Sequence, residues 1–198
     1  MLSRSSAALA VVLACAGSAQ AFTVATFADP TTGPVPSLFQ WNATTNTLTG
    51  GYTGGNLTLE TPGIAAPDFP GATFSMAPLV GMNIGGGVVQ FGPGSIQFFD
   101  SGNQLIFNIA FSSAIMNMSL SFGASDFIGF NVDFTGPIMD METEGEAFAF
   151  SFANPTATQN GFDVTASFTS SADRFIPTPG GALLAGIGGL YVLRRKRR

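Results

Sequence analysis

The sequence has no histidine, a single cysteine and, over most of its length, no basic residue. Its seven lysines and arginines lie at the two ends of the chain, at Arg4, Arg174 and the run from Arg194 to Arg198. The stretch from Phe22 to Asp173 therefore contains all twelve Asp and Glu residues and no cation. Without cations this stretch cannot neutralise phosphates, which argues against nucleic acid and anionic lipid headgroups as its partners.

The missing residue types also exclude several kinds of catalysis. A nucleophilic triad needs a histidine or an activated thiol, and the chain has no Gly-x-Ser-x-Gly motif. The triplet Asp100-Ser101-Gly102 matches that of aspartic proteases, but their chemistry needs two such carboxylates, so we interpret it as a turn. The run Gly85-Gly86-Gly87 lacks the Lys and Ser or Thr of a phosphate loop. We predict no catalytic residue and no enzymatic activity.

The first 21 residues have the pattern of a secretory signal peptide. Arg4 supplies a positive start, residues 7–17 an apolar helix, and Ala19-Gln20-Ala21 a small-x-small cleavage site, so the mature chain is expected to begin at Phe22. Cys15 lies in the apolar part, and the local sequence VLAC also resembles a bacterial lipoprotein site, an alternative that stays open. Removal of the signal peptide leaves no cysteine for disulfides or thiol chemistry.

Residues 22–173 have a hydrophobic period of two, which is typical of β-strands with one buried face. The alternating segments run from Ile96 to Phe98, Leu105 to Phe111, Met116 to Phe122, Ile128 to Phe134, Phe148 to Phe152 and Phe162 to Phe168. The Gly- and Thr-rich stretch from Asn46 to Gly63 indicates two or three further short strands. We predict an all-β fold, a single two-sheet β-sandwich with jelly-roll-like or Greek-key topology.

Aromatic residues are almost all phenylalanine. Nineteen of the twenty Phe lie between Phe22 and Phe168, whereas that span holds one Trp and one Tyr. Because phenylalanine has no polar group, we expect these many rings in the core between the sheets. Trp41 and Tyr52 are the candidate glycan contacts of a carbohydrate-binding module, although the composition favours both as partly buried core fillers.

A cluster of four carboxylates at alternate positions is the candidate metal site. In one strand the four would line a single face and repel one another, so we expect a loop or a charged sheet edge. Calcium would neutralise them and is the only cofactor suggested. An enzyme acting on glycans would need Asp133 or Asp163 to converge with this cluster. The four residues are Asp140, Glu142, Glu144 and Glu146.

Residues 174–198 form a C-terminal segment with three parts in order. Residues 176–179 are Pro-rich, residues 180–193 are apolar and rich in glycine, and residues 194–198 are all basic. A helix from Pro179 to Leu193 reaches only about 22 Å, short of a hydrocarbon core of about 30 Å. The basic residues would keep the C-terminus in the cytoplasm. The pattern predicts a short transmembrane helix that serves processing, and a simple single-pass anchor is the alternative.

This order of Pro-x-Pro, short Gly/Ala/Leu helix and terminal Arg cluster resembles the PEP-CTERM protein-sorting signal of Gram-negative bacteria. The resemblance covers about the last 23 residues, and Thr178 stands where the family has Glu. It implies recognition and cleavage at Pro177, Thr178 and Pro179 by an exosortase, a membrane-embedded cysteine transpeptidase. The chain would then be transferred to the cell surface or an extracellular polysaccharide matrix.

The sequence thus predicts an exported protein of structural or adhesive function, held transiently in the membrane by its C-terminal helix. A carbohydrate-binding module is the alternative, and a glycan-active enzyme is a third and weaker interpretation.

Overall fold

The computed structural model describes residues 18–31, 36–118, 125–139 and 143–176. They form ten β-strands and no helix. Among these residues, none belongs to a helix long and apolar enough to cross a membrane. The predicted signal-peptide helix, up to residue 17, and the predicted C-terminal helix lie outside the described residues. The strands are β1 (Ser18–Phe27), β2 (Phe39–Asn42), β3 (Thr47–Leu59), β4 (Phe69–Gly85), β5 (Val88–Phe91), β6 (Gly94–Phe99), β7 (Leu105–Asn117), β8 (Ser125–Thr135), β9 (Glu144–Thr158) and β10 (Gly161–Ile176).

All ten strands belong to one large sheet, and the prediction of an all-β protein is confirmed. The strand order is β1-β10-β2-β3-β4-β5-β7-β8-β9, with β6 paired to β4 and β7. β9, the last strand of this order, also pairs with β10, its second strand. Strands expected in two separate sheets are therefore joined by continuous hydrogen bonding.

The chain divides into two compact units. The larger is Phe22–Ala172 and contains the hydrophobic core. The smaller consists of Met1–Ala21 and Asp173–Arg198, of which the structure describes residues 18–21 and 173–176.

The β6–β7 hairpin forms where the sequence predicts it. The Asp100 Oδ1 atom accepts hydrogen bonds from the backbone N–H groups of Gly102 at 2.9 Å and Gln104 at 2.8 Å. Asn103 adopts a left-handed conformation with φ 61°, which Asn tolerates better than most residues. The Asp-Ser-Gly triplet is thus a turn, as predicted.

Phenylalanine fills the core, as its abundance predicts. Of the 18 phenylalanines whose burial the structure describes, 14 are buried. Phe150 on β9 lies at the centre, with ring centroids 4.9 Å from Phe39 and 4.8 Å from Phe168. It also contacts Phe74 on β4 and Phe127 on β8, at 5.8 Å and 6.4 Å. These contacts join five strands through one side chain.

The predicted burial of Ile128 and Phe130 is wrong. Val132 and Phe134 point into the core as expected, but Phe130 is 46% exposed. The alternation shifts at Asn131, which has φ 49° and whose side chain donates to the Ser112 hydroxyl at 2.8 Å. The alternation of buried residues in the paired strand β7 shifts at the same level. The pairing register between β7 and β8 is therefore unchanged. Phe127 takes the inward position that the sequence pattern assigns to its neighbour.

Within the stretch from Asn46 to Gly63, one long strand, β3 (Thr47–Leu59), forms where two or three short strands are expected. Its register with β4 moves from Tyr52 opposite Phe74 to Leu57 opposite Ala72. The intervening residues Thr53 to Asn56 are exposed and bulge out of the ladder. The glycines in this bulge let the strand continue after it instead of ending there.

Side-chain and backbone hydrogen bonds join β1 to its neighbours. The buried Ser170 hydroxyl accepts from the Ala25 N–H at 3.0 Å and donates to the Ala25 carbonyl at 2.9 Å. The next residue, Thr26, exchanges two backbone hydrogen bonds with Glu60, at 2.9 Å and 2.8 Å. β1 therefore links β10 to the end of β3, and each buried backbone group of Ala25 has a partner.

Candidate functional site

A polar cleft lies on the outer face of β10, β2 and the start of β3. Its volume is about 560 Å³, within the range of small-molecule sites. The lining residues share hydroxyl, amide or carboxylate side chains, apart from Trp41. They are Gln40, Trp41, Asn42, Thr45, Thr47, Thr49, Thr158, Gln159, Asn160 and Asp163.

Two turns form one end of the cleft. In the β2–β3 turn, the Asn42 Oδ1 atom accepts from the backbone N–H groups of Thr44 at 2.9 Å and Thr45 at 3.1 Å. Such Asx turns are why Asn is favoured at this position. The β9–β10 turn lies beside it, since the Asn160 carbonyl accepts from the Ala43 N–H at 2.6 Å. The two turns are thus hydrogen-bonded to each other.

The strand register arranges the polar side chains in a row across three strands. Gln40 lies opposite Asp163 on one side and opposite Thr49 on the other. Since neighbouring strands lie about 4.8 Å apart, the row offers a hydrogen-bonding group at each such step. All three residues occupy outward positions of the alternation, opposite in direction to the buried Phe39 and Leu48.

The next row of the same three strands has a gap. Asn42 lies between Thr47 and Gly161, and Gly161 has no side chain to fill its position. A Cβ atom there would overlap the carbonyl oxygen of Trp41. The close approach of β10 to β2 therefore requires glycine at this position.

The cleft carries little charge. Asp163 is the one carboxylate among its lining residues, and none of them is basic. Amides and hydroxyls provide both donors and acceptors. This chemistry suits an uncharged ligand with many hydroxyl groups better than an anion.

The structure buries both predicted glycan contacts. Trp41 and Tyr52 are each only 4% exposed. The Trp41 ring packs edge-on against Phe91, with centroids 6.0 Å apart, because Trp41 occupies an inward position of β2. The Tyr52 hydroxyl lies over Gly54. Neither ring presents an exposed face on which a sugar could stack.

The structure describes part of the acidic cluster. Glu144 and Glu146 are the first and third residues of β9, and Asp140 and Glu142 lie outside the described residues. Gly145 between them has φ 61°, and the Thr143 hydroxyl donates to Glu146. Across the described parts of the chain, no group of three or more potential metal-binding side chains occurs. The calcium hypothesis for the four carboxylates stays a prediction.

The other predicted positions are dispersed. Asp133 lies on β8 opposite Ala110, whereas Asp163 lies on β10 in the cleft. Gly85–Gly87 form the turn between β4 and β5. The sorting positions Pro177, Thr178 and Pro179 lie outside the described residues.

The cleft itself was missed by the sequence analysis. Its strand residues could have been found as the outward positions beside the buried Phe39 and Leu48. Comparison with known proteins finds no matching family model, no matching curated protein and no matching solved structure.

Proposed function

We propose that this chain is an exported cell-surface or extracellular-matrix protein with a structural or adhesive function. The observation that carries this proposal is where the aromatic residues lie: fourteen phenylalanines are buried, and polar side chains cover much of the outer face. A core of this kind stabilises a unit that has no cysteine to form disulfides, which suits display outside the cell. The signal peptide and the sorting-type C-terminal segment supply the route.

The finer architecture proposed for this unit is a β-sandwich with jelly-roll-like or Greek-key topology, in which two halves of the continuous sheet face each other. Ring contacts between strands that are not neighbours in the sheet support it. Phe39 on β2 and Phe74 on β4 both contact Phe150 on β9, and Trp41 on β2 contacts Phe91 on β5. Contacts of this kind are expected when inward side chains of two layers interdigitate.

Sorting by an exosortase-type transpeptidase predicts a shortened mature chain. We expect intact-mass spectrometry of the surface-exposed protein to find Phe22 at the N-terminus and a C-terminus between Ile176 and Gly180. Processing at Phe22 would also shorten β1 to residues 22–27. A variant lacking Arg194–Arg198 is the control, and we expect it to accumulate unprocessed. Surface-exposed wild-type protein that retains its last five residues would contradict sorting and favour a single-pass anchor.

Carbohydrate binding is the second candidate function, and the polar cleft favours it. The side chains in the row Asp163, Gln40 and Thr49 can hydrogen-bond a neutral polysaccharide without any aromatic platform. Without ring stacking, the affinity for one sugar unit is expected to be weak, and a polymer would gain by multiple contacts.

Gln40→Ala is expected to weaken retention on neutral polysaccharides about 2- to 10-fold, the effect of losing one hydrogen-bonding side chain. The measurement is affinity electrophoresis of the exported protein in gels containing dextran or soluble cellulose derivatives, with EDTA present to remove calcium. Gln97→Ala is the matched control, because Gln97 is equally polar and exposed but lies on β6, away from the cleft. Equal retention of both variants and the wild type would rule out the cleft as the binding site.

A further inference from the structure

Strand β4 extends beyond its neighbour β3. The pairing of β3 with β4 ends where Thr47 lies opposite Val80, and the Gly81 N–H donates to the Asn46 carbonyl at 2.7 Å. From Met82 to Gly85, β4 pairs with β5 on its other side. Within the described ranges, no strand covers the side that β3 leaves free. This segment, residues 82–85, is called the β4 edge below.

The β4 edge has backbone groups ready to pair. Gly81 directs its N–H towards β3, and residues two apart in a strand direct their backbone groups to the same side. Asn83 therefore directs its N–H and C=O to the open side. The Gly85 N–H donates to the Asn83 Oδ1 atom at 2.9 Å, across the β-bulge that shifts the β4–β5 register between these two residues. One residue, Asn83, thus offers a free donor and acceptor at the centre of the edge.

Exposed apolar side chains flank this residue. Val80, Met82 and Ile84 are 71%, 63% and 54% exposed. Val80 and Met82 alternate regularly along β4, whereas Ile84 is the extra residue of a β-bulge between Asn83 and Gly85. Natural edge strands are protected by charged residues, proline, short length or β-bulges. The β4 edge is short and bulged, but no residue between Asp68 and Asp100 is ionisable, and Pro78 precedes the edge in the part of β4 that pairs with β3.

Charge decides which partner fits. The stretch from Phe22 to Asp173 carries twelve carboxylates and no cation, so two copies repel each other wherever acidic surfaces meet. The β4 edge lies within 31 consecutive uncharged residues, from Phe69 to Phe99. Two copies that meet at this edge bring no carboxylate from this stretch into the contact. A basic partner would instead be drawn to the acidic surfaces elsewhere.

We propose that the β4 edge is a self-association site at which a second copy of this chain pairs antiparallel with the first. A twofold axis at Asn83 lets the two Asn83 residues exchange both backbone hydrogen bonds. That register places residue 84, which lies in the bulge, opposite Met82 of the other copy. The exposed Met82 and Ile84 side chains of both copies then lie at the contact, and the Gly85–Gly87 turn brings no side chain into it. The contact is short, so the dimer belongs to the weak, concentration-dependent class.

Disulfide trapping in the full chain tests this register. The Cα atoms of a hydrogen-bonded antiparallel pair lie about 5.5 Å apart, inside the range that a disulfide spans. With Cys15→Ala removing the natural thiol, Asn83→Cys is expected to give a disulfide-linked species of twice the monomer mass after mild oxidation, and reduction is expected to dissolve it. Gln104→Cys, in the exposed β6–β7 turn, is the matched control and is expected to stay monomeric.

A second variant separates specific pairing from chance collision. Ile84→Asp, added to Asn83→Cys, introduces a carboxylate opposite Met82 of the other copy and is expected to abolish the dimer band. Thermal unfolding of this variant, followed by Trp41 fluorescence, is expected to match that of Asn83→Cys because residue 84 is exposed. The proposal is overturned if the Asn83→Cys chain stays monomeric, if Gln104→Cys gives an equal dimer yield, or if Ile84→Asp leaves the yield unchanged.

Discussion

Replacing Phe150 with alanine is expected to lower the free energy of unfolding by about 3–5 kcal/mol. Phe150 is fully buried, and its ring contacts six other phenylalanines on strands β1, β2, β4, β8, β9 and β10. Alanine would leave a cavity at this position. The contacting rings lie on six strands, which cannot all move inward at once to fill it. For a unit of this size, the loss corresponds to a decrease in Tm of about 6–20 °C. Urea and thermal unfolding can be followed by the fluorescence of the single tryptophan, Trp41.

The matched control is Phe130→Ala, the same substitution at a residue that is 46% exposed. We expect it to lower the free energy of unfolding by less than about 1 kcal/mol, as is usual for surface positions. Strict alternation through Ile128, Phe130, Val132 and Phe134 predicts the opposite, with Phe130 as costly to truncate as a core residue. Similar losses for Phe130→Ala and Phe150→Ala would therefore contradict the local shift of β8 at Asn131.

The core was predictable because its pattern is local. Period-two alternation identifies the inward residues of β6, β9 and β10, because in each of these strands the apolar residues all lie on one face. It failed at Phe130 because one left-handed residue, Asn131, moves the following side chains to the other face. Asn tolerates this conformation, but many Asn residues in a strand do not adopt it, so the type alone could not identify the shift.

The cleft could be predicted only in part, for a different reason. The outward positions Gln40 and Thr49 follow from their buried neighbours on β2 and β3. Asp163 lies more than a hundred residues further along the chain, and only the pairing of β10 with β2 brings it beside Gln40. Strand order depends on long-range packing, which periodicity does not encode. The β4 edge could not be predicted from the sequence for the same reason, because it exists only where β4 extends beyond the paired part of β3.

Residue type alone makes Trp41 and Tyr52 the candidate glycan contacts, and the structure buries both side chains. Trp41 and Tyr52 were selected because Trp and Tyr rings bind sugars when exposed. Both occupy inward positions, and the residues next to them point outward. A shift of the strand alternation by one residue would therefore move either ring from the core to the surface. Sugar recognition at the proposed cleft site therefore depends on amides and hydroxyls.

The close approach of β10 to β2 makes Gly161→Ala the second substitution with a large expected effect. The added Cβ atom would overlap the Trp41 carbonyl oxygen, which is backbone and cannot rotate away. We expect a loss of about 1–3 kcal/mol or more in the free energy of unfolding, because β10 must move away from β2. The hydrogen bond from the Ala43 N–H to the Asn160 carbonyl would be strained by the same movement.

Gly92→Ala is the matched control, since a Cβ atom at Gly92 would meet nothing within 4 Å. There alanine is expected to leave stability unchanged or to raise it by up to about 1 kcal/mol, because it restricts the unfolded chain. Unfolding of both variants can be compared by Trp41 fluorescence, which also reports directly on displacement of β2. If Gly161→Ala were as stable as Gly92→Ala, the two strands would not approach as closely as the structure places them. The row Asp163, Gln40 and Thr49 would then be too widely spaced to act as one binding surface.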